Sequence, residues 1–128
     1  MIKGSCLCGK VSYEATELTA PIVFCHCSFC RKASSTAFST NALVDLASFQ
    51  LLSGQEALVT YESSPGKIRY YCKHCHSQIY HTKTDVPGQL TLKLGTIDRC
   101  DQDLDKLERK HIHHEQRLPW LADDSKHT

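Results

Sequence analysis

"IRYYCKHCHSQIYHTKT", Ile68 to Thr84, reads as two strands joined by a cysteine knuckle. The flanking runs "IRYYC" and "SQIYHTKT" are rich in β-branched and aromatic residues, which suit a pleated, half-buried surface. Between them, "CKHC" sets Cys72 and Cys75 on a tight turn that aims both sulfurs at one ion. The unit is a zinc-ribbon-like hairpin. With the many other short runs punctuated by Gly and Pro, it predicts a mainly β fold.

Working outward, "KVSYEA" (Lys10 to Ala15) alternates as a strand does, and "IVFCHC" (Ile22 to Cys27) reads as a short strand started by Pro21. "CRKAS" after it suits one helical turn, and "STAFSTNALV" (Ser35 to Val44) reads as strand. "SFQLLSG" (Ser48 to Gly54) and "ALVTYES" (Ala57 to Ser63) are expected to pair about a turn at Gly54. "SSPGK" (Ser63 to Lys67) and "VPGQ" (Val86 to Gln89) carry Pro-Gly turns, in which Pro presets φ and Gly permits a positive one. "LTLKLGTI" (Leu90 to Ile97) alternates as one strand, and "DQDLDKLERKH" (Asp101 to His111) suits a short helix or a loop. Residues 1–120 are expected to form one domain with a single modest core, and residues 121–128 a frayed tail.

The formal net charge of +1 gives no case for nucleic acid or an anionic membrane. No apolar stretch approaches the ~20 residues of a membrane span, and "MIKGSCLCGK" has no apolar signal core, so a cytoplasmic protein is expected. Against that background the eight cysteines are anomalous. Disulfides are disfavoured in a reducing compartment, where clustered cysteines bind metal or do redox chemistry. Redox chemistry at "CKHC" lacks the βαβ setting expected of it.

Side chains at i and i+2 of an extended segment share a face, so "CLC" presents Cys6 and Cys8 together. Added to Cys72 and Cys75 they complete a four-thiolate tetrahedron, the closed form of structural zinc; the alternative pairings mix the groups. "CHCSFC" then leaves three sulfurs: Cys25 and Cys27 on one face, with Cys30 brought in by a turn. Three thiolates on Zn²⁺ leave a net charge of about −1 and one unfilled position, the pattern of a catalytic site. Either that position is filled from outside, by water at rest and a substrate thiol at work, or the chain closes it. Cys100, His26, His81, His111, His113 and His114 are the candidates for closing it.

Taken together, "GSCLCGKVSYEA", "FCHCSFCRKAS…AF", "YESSPGKIRYYCKHC", "GTIDR" and "HIHHEQRLPW" resemble the glutathione-dependent formaldehyde-activating enzyme family, which includes centromere protein V. The likeness runs from Lys3 to Trp120. It implies zinc-stabilised, stacked antiparallel sheets of short strands. It also implies two Zn²⁺ ions: a structural one on Cys6, Cys8, Cys72 and Cys75, and a catalytic one on Cys25, Cys27 and Cys30. The implied activity is that of a carbon–sulfur lyase adding glutathione to formaldehyde. Cys100 matches no metal ligand of the family. This chain departs from the family's glycines at Ser35 and at His76. The knuckle glycine relieves a positive φ, which His76 must adopt at some cost, and Ser35 is expected to alter the pocket.

If glutathione is the thiol, a cation must hold its carboxylates, and Arg31, Lys32, Arg99 and Arg117 are available. His26 should point away from its flanking ligands; Phe24, Phe29 and Trp120 read as packing residues. "KHIHHEQ" alternates as an edge strand rather than a third metal site. The rival to an enzyme is a non-catalytic zinc scaffold that binds a protein or other partner.

Overall fold

The computed structural model describes residues 1–121. Among the described residues, eleven strands form two sheets, accompanied by one short helix. The smaller sheet contains β1 (Ile2–Ser5), β2 (Ser12–Ala15), β5 (Phe49–Ser53) and β10 (Ile97–Cys100), in the order β10-β1-β2-β5. The larger contains β3 (Thr19–Cys25), β4 (Ser39–Asp45), β6 (Leu58–Ser64), β7 (Lys67–Cys72), β8 (Gln78–Lys83), β9 (Gln89–Lys93) and β11 (Arg109–Ile112). Its order is β11-β3-β4-β9-β8-β7-β6. Pairing is antiparallel throughout except for β11, which runs parallel to β3 at one edge. The helix α1 (Ser28–Ser34) follows β3 directly. No helix among the described residues is long and apolar enough to cross a membrane.

The expected hairpin of β7 and β8 is present, with Lys67 opposite Lys83 and Tyr70 opposite Tyr80. Because side chains alternate, the central strands of the large sheet, β4, β9 and β8, give one set to the small sheet. Ala42, Val44, Tyr80, Leu90 and Leu92 bury against Ile2, Val11 and Tyr13, forming the core. The other set is turned away from that core and carries the groups described below.

Four expectations are corrected. The strands around Gly54 do not pair with each other. β5 lies beside β2 and β6 beside β7, in different sheets. Gly54, at φ +83°, leads into a 3-10 turn (Gln55–Ala57) that carries the chain from one sheet to the other. "LTLKLGTI" is likewise two strands. A 3-10 turn at Leu94–Thr96 breaks it, and β9 and β10 lie in different sheets. β3 begins at Thr19, and Pro21, which has no N–H to give, sits where the pairing with β4 slips register. Asp101 to His111 holds a 3-10 turn at Leu104–Lys106 and the start of β11. The expected frayed tail, residues 121–128, lies outside the described residues apart from Leu121.

The expected edge strand in "KHIHHEQ" is β11. Two packing expectations are also corrected: Phe29 is 55% exposed and Trp120 is 72% exposed. Phe24 is half-buried and packs edge-on against Phe38 at 5.4 Å between ring centroids.

Candidate metal centres

Cys6 and Cys8 meet Cys72 and Cys75, and the four sulfurs lie within 4.8 Å of one another. Cys8 Sγ is 3.6 Å from Cys6 Sγ and 3.8 Å from Cys72 Sγ. Four sulfurs at the usual Zn–S bond of about 2.3 Å have tetrahedral edges of about 3.8 Å. A disulfide would need about 2.05 Å, and all eight cysteines are free. The donor set and its spacing therefore fit a zinc tetrahedron. The local reason differs from the one expected. "CLC" is not extended: Gly9 N–H donates to Cys6 O at 3.1 Å, closing a turn, and Val11 N–H donates to Cys6 Sγ at 3.3 Å. The second knuckle is closed by His76 N–H donating to Cys72 O at 2.8 Å. One knuckle follows β1 and the other β7, so the cluster staples the two sheets.

The three sulfurs of Cys25, Cys27 and Cys30 also lie within 4.8 Å of one another. Cys25 ends β3. Cys27, extended at φ −64° and ψ 151°, is the N-cap of α1, its sulfur accepting from Cys30 N–H at 3.3 Å. That cap folds the helix back so that Cys30 joins the pair, and all three cysteines are buried. The crowding shows in their titration. Cys30 is pulled down to about 3, first by the hydrogen bond from Cys25, against burial, and then by Lys67. The same pairing pushes Cys25 up, with burial acting in the same direction. Three thiols so placed suit a dication.

No other His, Cys, Asp or Glu donor joins this trio among the described residues. Cys100 lies in the other sheet, and its thiol faces Gln102 O at 3.5 Å. His26 does point away: its Nε2 pairs with His111 Nδ1 at 2.8 Å, and its ring packs on Phe38 and His114. His81 and His113 line a cavity of about 210 Å³ that the three cysteines also line.

Register explains what else faces the trio. Residues directly opposite across a pair share a face. Cys25 is opposite Ser39, and Asn41 opposite Lys93. Leu43 is opposite Thr91, Thr91 opposite His81, His81 opposite Arg69, and Lys83 opposite Lys67. One face of the large sheet thus gathers the trio and a set of cations on a chain of near-zero net charge. Lys67 Nζ and Arg69 Nη2 each lie 3.8 Å from Cys30 Sγ. Arg69 is fully buried, and its Nε donates to Ser63 Oγ at 2.7 Å.

None of these cations was expected from the sequence. The four that were do not line the cavity. Arg31 donates to His26 O at 3.3 Å, Lys32 is exposed on α1, Arg99 pairs with Asp101 at 3.2 Å, and Arg117 contacts His114 at 3.3 Å. Ser35 is absent from the cavity as well. It is the left-handed C-cap of α1 at φ 56°, and His76 has φ 65°. Both positions hold a conformation that glycine adopts freely.

Lys93 supplies a pH test. It is buried, and Nζ donates to Asn41 Oδ1 at 2.7 Å. Burial pulls it from 10.5 down to about 7. The unfolded chain then binds the extra proton between these values, so stability rises with pH across that window. Denaturation of the metal-loaded protein from pH 7 to 9 should show a positive slope of up to about 1 kcal/mol per pH unit. Lys93→Met should flatten it.

The family model for the glutathione-dependent formaldehyde-activating enzyme matches residues 1–116. The chain belongs to that family. An uncharacterized lyase of Schizosaccharomyces pombe is 29% identical over 83 residues, 65% of this chain and 58% of that protein. The chain thus aligns with little more than half of that relative's length. A crystal structure of a Rhodobacter sphaeroides protein is 25% identical and superposes with a TM-score of 0.67, covering 85% of this chain and 98% of that one. For this formaldehyde-activating-enzyme family member, the match spans both cysteine clusters and the strands that carry them.

Proposed function

We propose that the chain is a zinc-dependent enzyme of the carbon–sulfur lyase type, adding glutathione or a related thiol to formaldehyde or a similar small electrophile. The single observation that carries the reading is a three-sulfur cluster, with no fourth donor among the described residues, on the wall of a cavity. Cys6, Cys8, Cys72 and Cys75 would hold a second, structural zinc.

Bound by Cys25, Cys27 and Cys30, a zinc ion would lower the pKa of an incoming thiol and make it nucleophilic at neutral pH. The rest is done by the chain. Lys67 and Arg69 offset the excess negative charge of three thiolates. Lys67 and the exposed Lys83 border the cavity and attract a carboxylate-bearing thiol. At about 210 Å³, below the usual 300–1,000 Å³ of a ligand pocket, the cavity accepts the sulfur end and a small electrophile and orients the pair. The remainder of a tripeptide would lie outside it.

Titration of the Co²⁺-substituted protein with glutathione tests the reading. The thiolate charge-transfer bands should shift at millimolar glutathione. An unchanged spectrum overturns thiol ligation and leaves the scaffold.

A further inference from the structure

We propose that His81 binds the oxygen of the reacting group, positioning the small electrophile opposite the sulfur held at the cysteine trio. The inference rests on the thiol-addition reading above. Among the cavity's buried polar side chains, His81 stands apart. It is 4% exposed, and its Nδ1 is buried without a hydrogen-bond partner. A buried polar nitrogen left unpaired costs free energy, so such atoms need an explanation.

Asn41, the cavity's other buried polar side chain, is already engaged. Asn41 Nδ2 donates to Ser39 Oγ at 2.8 Å, and its Oδ1 accepts from Lys93. Lys67 is turned to Cys30, and Lys83 is exposed. An imidazole with no hydrogen bond at either ring nitrogen among the described residues remains on the wall of a cavity that also holds three thiols; Nδ1 is closed off from solvent, so Nε2 is the nitrogen that can meet a ligand. It is opposite Thr91 on one side and Arg69 on the other, on the face that carries Cys25.

Its surroundings set its form. Burial first, then Lys93, Lys67, Arg69 and Lys83, push its pKa down, so the ring is neutral. A neutral imidazole offers one N–H donor and one acceptor. In the addition, the sulfur forms a bond to carbon and the carbonyl π pair moves to oxygen. The proton released by the thiol ends on that oxygen, giving a hydroxyl, with nothing oxidised or reduced. His81 donates its N–H to the oxygen as negative charge develops there, which is where a fixed donor acts most strongly.

Two small thiols separate this inference from the reading it rests on. 2-Mercaptoethanol and ethanethiol share a sulfur, but only the first carries a hydroxyl near the place of the product's. Both are titrated into the Co²⁺-substituted protein, and the Kd is read from the charge-transfer bands. In the unaltered chain, 2-mercaptoethanol should bind about fivefold more tightly, the equivalent of one neutral hydrogen bond. His81→Phe should bring the ratio to about one with ethanethiol affinity kept, and His81→Gln should restore part of it. If neither thiol moves the bands, thiol ligation fails and this inference with it. If both bind with no hydroxyl preference in the unaltered chain, or with the same preference in His81→Phe, the inference fails alone.

Discussion

Cys72→Ser is expected to cost the protein one metal ion and its native fold. Cys72 is fully buried at the end of β7, its sulfur 3.8 Å from that of Cys8, which follows β1. The cluster joins the two sheets between which the core is packed. A structural zinc site contributes ~10–16 kcal/mol of apparent binding free energy, against a net stability of ~5–15 kcal/mol for a typical domain. Serine replaces a soft thiolate with a neutral hydroxyl and leaves three donors. The expected result is loss of the cooperative thermal transition, with metal content falling from two ions to one or fewer. An unchanged Tm in Cys72→Ser would mean that the four sulfurs hold no structural metal.

Cys30→Ser should abolish the second metal and the thiol response while leaving the first metal bound, so metal content falls from two ions to one. Activity should fall to the uncatalysed rate. A stability cost follows as well. Cys30 Sγ is the anionic partner of Lys67 and of fully buried Arg69. Stripping one partner from a buried charge pair costs about 3–5 kcal/mol, because the remaining charge is left without compensation. Cys30→Ser with Arg69→Met should recover part of the stability but none of the metal. Recovery of neither would make Arg69 a packing residue rather than a counter-charge. Recovery of metal would remove Cys30 from the ligand set.

The sequence made both cysteine groups legible because chelation at a knuckle is local. Cys72 and Cys75 converge through a turn closed within five residues. Cys27 and Cys30 converge through one helical cap. For Cys6 and Cys8 the expected convergence came with a different backbone, since a turn and an extended segment both bring i and i+2 near one ion. The missed cations had a signal too. In β7, Lys67 and Arg69 stand two apart; in β8, His81 and Lys83 do; in β9, Thr91 and Lys93 do. Alternation placed each pair on one face of its own strand. What was lacking was the register that makes the three faces one.

Composition, turn residues and cysteine spacing by themselves determined that this chain is mainly β and carries two clusters able to chelate metal, since each depends on interactions within a few residues. Only the tertiary structure decided that β5 and β6 part company, that Cys100 lies in the other sheet from the trio, and that His81, Lys67 and Arg69 stand around it. Strand pairing joins segments far apart in the chain, and an alternating strand offers the same edge to any partner. Which partner it takes is settled by the burial of whole faces, a property of the assembled sheets.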